Sequence, residues 1–114
     1  MVDDARRTVA RDALDASGPR LPEVLDRLSA FSDPTRLGLL IAIHAAPGAP
    51  VSDLAAAAGL SPNTATQALQ TLRAAGLVRR VREGRFSRWY LSDEAAHDLL
   101  HHLGAPHSDL HPAH

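Results

Sequence analysis

Histidine is the residue type whose spacing in this sequence points most directly to chemistry. Six of the seven histidines lie in the stretch HDLLHHLGAPHSDLHPAH, between His97 and His114. Imidazoles four residues apart on a helix can bind a transition metal, and histidines also titrate near neutral pH. A histidine-rich chain end can equally be a solvated tail with weak affinity for any such metal. A metal site, a pH-sensitive surface and a solvated tail all remain open from these residues.

The composition narrows the chemistry that the chain can carry. Its 114 residues predict a single domain with one modest core. Cysteine is absent, so disulfides, thiolate nucleophiles and sulfur-ligated metals are excluded, and a bound metal would be nickel, cobalt or zinc held by imidazole and carboxylate. The sequence has no Gly-x-Ser-x-Gly elbow, no phosphate-binding glycine loop and no His-Glu-x-x-His pair, which argues against an enzyme. No eighteen apolar residues occur together, so we expect a cytoplasmic protein without a membrane partner.

The arginines are strongly segregated along the chain. The formal net charge is −1, yet residues 73–92 contain six arginines and one acidic residue, Glu83, while the segments on either side are net acidic. A local positive field of this kind is typical of a module that lays one element along phosphates. The same pattern also fits a solvated hairpin with ordinary surface arginines.

The first half of the chain reads as three helices. Residues 3–16 predict a weak helix that SGPR at 17–20 ends. Apolar residues then recur at helical spacing from Leu21 to Phe31, which predicts an amphipathic helix. Asp33-Pro34 predicts the start of a third helix, and His44 in its last turn is expected to be a histidine at a helix C-terminus rather than a ligand.

Two short helices separated by glycine give the strongest pattern. Ser52 is predicted to cap a helix that ends at Ala58, Gly59 turns the chain, and Ser61-Pro62 begins a second helix that runs to about residue 75. Apolar residues of the second helix recur at core spacing and leave a polar outer face, formed by Asn63, Thr64, Thr66, Gln67 and Gln70. Amide and hydroxyl groups can read base edges in a major groove, whereas a helix with polar decoration and no binding role is the alternative.

After Gly76 the spacing of side-chain types changes from that of a helix to that of β-strands. Residues 77–82 and 86–91 predict two strands joined by a turn at Glu83-Gly84, with Trp89 in the core. Three arginines lie at or near the tip of this hairpin, where they could contact phosphate: Arg82, Arg85 and Arg88. A last helix is predicted to start at Ser92, with Asp93 and Glu94 in its first turn.

This order of elements predicts a mainly α fold with a small β-hairpin, the winged helix-turn-helix. The sequence also resembles the ArsR/SmtB transcriptional regulators in FSDPTRLGLL at 31–40, VSDLAAAAGLSPNTATQALQTLRAAGLV at 51–78 and REGRFSRWYL at 82–91. The resemblance covers about residues 21–103. It implies a homodimer formed through the first and last helices that binds a palindromic operator, usually represses, and is released by an ion or another effector.

These observations divide the chain into a flexible N-terminal segment with a weak helix at 1–20, a winged domain at 21–104 and a histidine-rich tail at 105–114. Double-stranded DNA is the expected partner. The expected contact set is Ser61, Asn63, Thr64, Thr66, Gln67, Gln70, Arg73, Arg82, Arg85 and Arg88. The alternative is a winged-helix protein-interaction module or a histidine-tail metal buffer that never engages DNA.

On a helical wheel of the last helix, Asp93, His97 and His101 lie along one flank of an apolar stripe, formed by Ala96, Leu99, Leu100 and Leu103. If that stripe is the dimer interface, the flank and its symmetry mate predict a site for nickel, cobalt or zinc, as in a nickel- or cobalt-responsive regulator. His107, His111 and His114 on the tail could complete the coordination shell.

The family pattern is not fully reproduced in this sequence. With Asp93 aligned, Ala95 stands where the resemblance implies the first histidine of a metal site, and residues 53–57 lack the cysteines of the family's other common site. A regulator without an effector, or one whose metal is sensed by a partner protein, therefore remains open.

Overall fold

The computed structural model describes residues 2–92 and 94–105. The elements along these residues are α1 (Val2–Ser17), the 3-10 turn Gly18–Arg20, α2 (Leu21–Phe31), α3 (Pro34–Ala45), β1 (Ala49–Pro50), α4 (Val51–Ala58), α5 (Pro62–Ala74), β2 (Val78–Glu83), β3 (Phe86–Leu91) and α6 (Glu94–His102). The predicted fold class, mainly α with a small β-hairpin, is confirmed.

Capping side chains followed by proline set the starts of α3 and α5. The Asp33 carboxylate accepts a hydrogen bond from the backbone N–H three residues on, at 2.8 Å, and the Ser61 hydroxyl accepts the equivalent bond at 3.1 Å. Pro34 and Pro62 follow at a position whose N–H has no partner inside a helix. Both predicted helix starts are therefore correct.

Helix α4 starts differently from its predicted form. Pro50 is extended, with φ −75° and ψ 163°, and it ends β1, so the helix begins at Val51 without a side-chain cap. Ser52 is the second helical residue, and the prediction that it caps this helix is wrong. The pairing of Pro50 in the sheet competes with this cap, because it fixes the helix start two residues earlier than predicted.

The segment SGPR ends α1 at Ser17, as its composition predicts, but the chain stays helical through the 3-10 turn Gly18–Arg20. Ser17 and Leu21, on either side of this turn, both have right-handed helical backbone angles, and α2 begins directly at Leu21. Pro19 is tolerated because it lies in the first turn of the 3-10 helix, where a backbone N–H would have no hydrogen-bond partner within the helix. Helix α1 is solvent-exposed over residues 4–17.

The core forms around α3, against which α4, α5, the sheet and α6 pack. Its large apolar members are Leu39, Leu40, Ile43, Leu54, Leu69, Leu72, Leu77, Val78, Trp89 and Leu100. Trp89 is 3% exposed, which confirms its predicted place. Within residues 2–92 and 94–105, no helix has the length and apolar character needed to cross a bilayer.

The three strands form an antiparallel sheet in the order β1-β3-β2. Glu83 pairs with Phe86, so the hairpin loop is Gly84-Arg85, one residue later than predicted. Gly84 has φ +61° and Arg85 does not have positive φ, the pattern of a type II′ turn. The sequence did not predict β1, because two residues between proline-rich turns carry no alternating pattern.

Candidate nucleic-acid interface

A left-handed glycine builds the tight connection between α4 and α5. Gly59 has φ +68°, a conformation that costs other L-residues about 1–2 kcal/mol, and the next N–H, of Leu60, donates to the carbonyl of Ala55 at 2.9 Å. The chain then enters α5 through the Ser61 cap. The predicted helix, glycine turn and second helix are all present.

Helix α5 buries one side completely and exposes the opposite one. Ala65, Leu69 and Leu72 are 0% exposed. Four exposed polar residues lie at i, i+3, i+4 and i+7 across an arc of about 100°, on the opposite side of the helix from the buried three: Asn63, Thr66, Gln67 and Gln70. We call this set the polar arc. The fold thus keeps these uncharged donors and acceptors in solvent.

Ser61 and Thr64 belong to the predicted contact set but lie beside the polar arc and use their hydroxyls within the chain. The Ser61 hydroxyl donates to that of Thr64 at 2.9 Å while it accepts the capping bond from the Thr64 N–H. Both residues are exposed, but their local bonds already use part of their hydrogen-bonding capacity. The part of α5 best placed to read bases is therefore the polar arc.

The hairpin of β2 and β3, which we call the wing, carries exposed arginines on both of its faces. Side chains alternate along a strand, so Arg80 and Arg82 lie on the face that carries Trp89, whereas Arg79 lies on the other. The Arg79 guanidinium stands 4.5 Å from the centre of the Tyr90 ring. The predicted contact set omitted Arg79 and Arg80, although the charge count over 73–92 included them. Arg73, in the last turn of α5, is also exposed.

Arg88, which was predicted to contact phosphate together with Arg82 and Arg85, is held by contacts within the chain. The register places Arg82 and Arg88 on opposite faces of the wing. The Arg88 guanidinium contacts the Glu83 carboxylate at 2.8 Å and donates to the carbonyl of Gly48 at 3.0 Å. It thereby ties the wing to the turn before β1. Arg85, in the hairpin loop, is exposed.

The predicted metal ligands have a different setting from the one the helical wheel gave. His97 and His101 stack on one side of α6, with ring centres 6.4 Å apart and planes at 6°. Both face His44, whose side chain is buried at the end of α3, with ring centres at 4.9 Å for His97 and 6.4 Å for His101. We call these three residues the histidine cluster. His44 was expected to be an ordinary helix-end histidine.

The remaining residues of the predicted metal site are not described by the structure. Asp93 and the tail residues His107, His111 and His114 lie outside the described residues. Among the described residues, no three histidine or carboxylate side chains are already arranged to hold a metal ion. Glu94 and Asp98 line a shallow cleft of about 440 Å³ together with His97 and His101.

The apolar stripe predicted as the dimer interface on α6 is divided. Leu100 is 1% exposed and packs in the chain's own core, whereas Leu103 is 63% exposed. Helix α2 exposes a fuller stripe, with relative exposures of 43–61%: Leu21, Val24, Leu25 and Leu28. Monomeric proteins rarely leave such a continuous apolar row in water.

Comparison with known proteins agrees with this arrangement. Residues 31–81 match a family described as a helix-turn-helix domain. The chain is 38% identical to the putative arsenical resistance operon repressor ArsR2 of Halobacterium salinarum, over an alignment of 112 residues that covers 90% of this chain and 93% of that protein.

Solved structures share the fold as well. One is the homodimeric winged helix-turn-helix DNA-binding domain of a possible ArsR-family transcriptional regulator from Mycobacterium bovis, with a TM-score of 0.70 and 27% identity over 78% of this chain and 82% of that one. Another is the transcriptional repressor BigR of Xylella fastidiosa, with a TM-score of 0.67 and 27% identity over 78% of this chain and 90% of that one.

Proposed function

The chain belongs to the ArsR family of winged helix-turn-helix transcriptional regulators, and we propose that it represses transcription as a homodimer bound to a palindromic DNA operator. The polar arc of α5 carries the proposal. A helix face of exposed amides and hydroxyls, opposite a fully buried side and next in sequence to an arginine-bearing wing, suits insertion into a major groove.

Base reading and phosphate contact fall to different residues in this proposal. Asn63, Gln67 and Gln70 bear amides that can form paired hydrogen bonds with adenine, and Thr66 adds a methyl group and a hydroxyl. The exposed arginines of the wing and Arg73 neutralise phosphates, which strengthens binding without regard to sequence. The net charge of the whole chain, −1, does not oppose this because the positive charge is concentrated near the proposed contact.

The apolar stripe on α2 supports a second copy of this chain as the partner. A two-fold axis places two α5 helices against half-sites one helical turn apart, about 34–36 Å, and requires a palindromic operator. The Mycobacterium bovis structure is described as homodimeric. Leu25, 61% exposed, lies in the stripe, so Leu25→Glu is expected to shift the chain to monomers in sedimentation velocity. Val81→Glu, on the wing, is the control that should leave the dimer intact.

Repression is the direction of control that the relatives' names support, since both ArsR2 and BigR are described as repressors. The names of these relatives do not identify the effector of this chain. An effector that requires thiolate ligands is excluded here because the chain has no cysteine. If the chain itself binds no effector, a partner protein that senses the effector would control its activity.

The test is selection of duplexes from a random-sequence library by the full chain, followed by affinity measurements on selected and scrambled DNA. Gln67→Ala should reduce the preference for the selected sequence by about 1–3 kcal/mol, the range of one good paired base contact. Thr71→Ala is the matched control, since Thr71 is exposed on the same helix, outside the polar arc. Failure to bind any duplex at low salt would overturn the proposal and favour a protein-interaction module.

A further inference from the structure

The histidine cluster connects α3, at the centre of the core, with α6. His44 ends α3, the helix at the centre of the core, and it is 1% exposed. His97 and His101 lie on α6, which packs on α3 and β3. Three imidazoles from two helices thus meet at one junction inside a single chain.

We propose that the histidine cluster binds one first-row transition metal ion, such as nickel, cobalt or zinc, through His44, His97 and His101 of the same chain. This site differs from the predicted one, which joined Asp93, His97 and His101 to their symmetry mates across a dimer interface. Metal binding itself is independent of the proposed function, and the regulatory consequence drawn below rests on it.

The distances between the three ring centres fit one bound ion if the His101 ring moves. Metal–nitrogen bonds of about 2.0–2.1 Å place the ring centres of two imidazoles on one tetrahedral ion about 5 Å apart. The His44 and His97 ring centres are 4.9 Å apart, which is close to that distance. The His101 ring, at 6.4 Å from each, has to approach by about 1.5 Å to complete the set. His101 is exposed and borders the cleft beside α6, and the proposal requires its ring to move toward the other two.

The surrounding groups suit a metal–imidazole site. Imidazole ligands suit nickel, cobalt and zinc in a chain without thiolates. One carboxylate oxygen of Asp98 lies 3.5 Å from Nδ1 of His97, and a carboxylate beside an imidazole is the kind of outer contact that orients a metal-binding histidine. Glu94 and Asp98 line the same cleft and add negative charge beside the incoming cation. The buried His44 ring supplies a fixed point from the core.

The regulatory consequence follows from what the two helices carry. Helix α3 packs against α4 and α5, which form the helix-turn-helix, whereas the exposed Leu103 directly follows α6. An ion held by both helices would fix the orientation of α6 relative to α5. In a homodimer that contacts its partner through α6, this orientation sets the spacing of the two α5 helices on DNA.

The test is titration of the full chain with cobalt(II), followed by visible absorption and by calorimetry with nickel, cobalt and zinc. We expect one ion per chain, and we expect His44→Leu, His97→Ala and His101→Ala each to weaken binding at least tenfold. His102→Ala is the matched control on α6, because His102 is exposed and lies outside the cluster. A full-length His107→Ala, His111→Ala, His114→Ala variant should bind as the unchanged chain does.

Uptake that survives His44→Leu but is lost from the tail variant or from Asp93→Asn would overturn the proposal. If His44→Leu fails to fold by circular dichroism, proton NMR of the cobalt-loaded unchanged chain provides the second measurement. Three paramagnetically shifted imidazole N–H signals that include His44 support the site, and shifted signals without His44 overturn it. Operator binding measured on the same samples separates the two proposals, since absence of metal uptake by the unchanged chain, with intact DNA binding, would refute this site alone.

Discussion

The different roles of Arg85 and Arg88 give a quantitative prediction for the salt dependence of DNA binding. Arg85 is exposed in the hairpin loop, whereas Arg88 already contacts Glu83 and the carbonyl of Gly48. Each phosphate contact contributes about 0.9 to the slope of log K against log salt. A homodimer has two wings, so Arg85→Ala should make this slope shallower by about 1.8.

The assay is fluorescence anisotropy with one labelled operator duplex at salt concentrations from about 50 to 200 mM. Over this fourfold range a slope change of about 1.8 means that the unchanged protein loses about tenfold more affinity than Arg85→Ala does. Scrambled DNA should show the same change, because a phosphate contact is independent of sequence. An unchanged slope for Arg85→Ala would show that the wing tip does not contact phosphate.

Arg88→Ala is the matched control, and it should leave the slope almost unchanged. Its effect is expected on stability, since the variant loses the link between wing and body. The ion pair with Glu83 is largely exposed and contributes little, about 0–1 kcal/mol, so the hydrogen bond to Gly48 provides most of a loss of about 1 kcal/mol. If Arg88→Ala reduced the slope as much as Arg85→Ala, the assignment of Arg88 to a structural role would be wrong.

Two further predictions concern stability, measured by denaturant unfolding. Ser61→Ala removes the cap of α5 and should cost about 0.5–2 kcal/mol, whereas Ser52→Ala, at a helix start without a side-chain cap, should change little. Equal effects of the two would refute the assignment of the caps. Gly48→Ala should cost about 1–3 kcal/mol, because Gly48 has φ +87° and an added Cβ would lie 3.0 Å from the Tyr90 hydroxyl oxygen. Gly18→Ala, with nothing within 4 Å of the added atom, is its control.

Elements that depend on local chemistry could be predicted from the sequence. Asp33-Pro34 and Ser61-Pro62 mark helix starts because the capping bond and the proline both act within one turn, and the structure confirms both. The exposure of the polar arc also follows from periodicity: Ala65, Leu69 and Leu72 recur at helical spacing and are buried, so the opposite side of α5 faces solvent.

Elements set by tertiary pairing could not be predicted in this way. The two residues of β1 become a strand because they pair with Trp89 and Arg88, about forty positions along the chain, and this pairing also removes the predicted Ser52 cap. The register of the hairpin likewise decides that Arg82 and Arg88 face opposite ways. Proximity in sequence suggested one arginine patch, but two faces alternate along every strand.

The histidines show the limit of a helical wheel. The wheel correctly grouped His97 with His101 on one side of α6, because residues four apart lie on the same face. It could not determine which other element that face would meet. In the structure Leu100 is buried in the chain's own core, and the His97 ring centre lies 4.9 Å from that of His44 on α3. The site predicted across a dimer interface and a cluster within one chain thus share His97 and His101 and differ in His44. The metal titration of His44→Leu therefore distinguishes a site at the dimer interface from one at the α3–α6 junction.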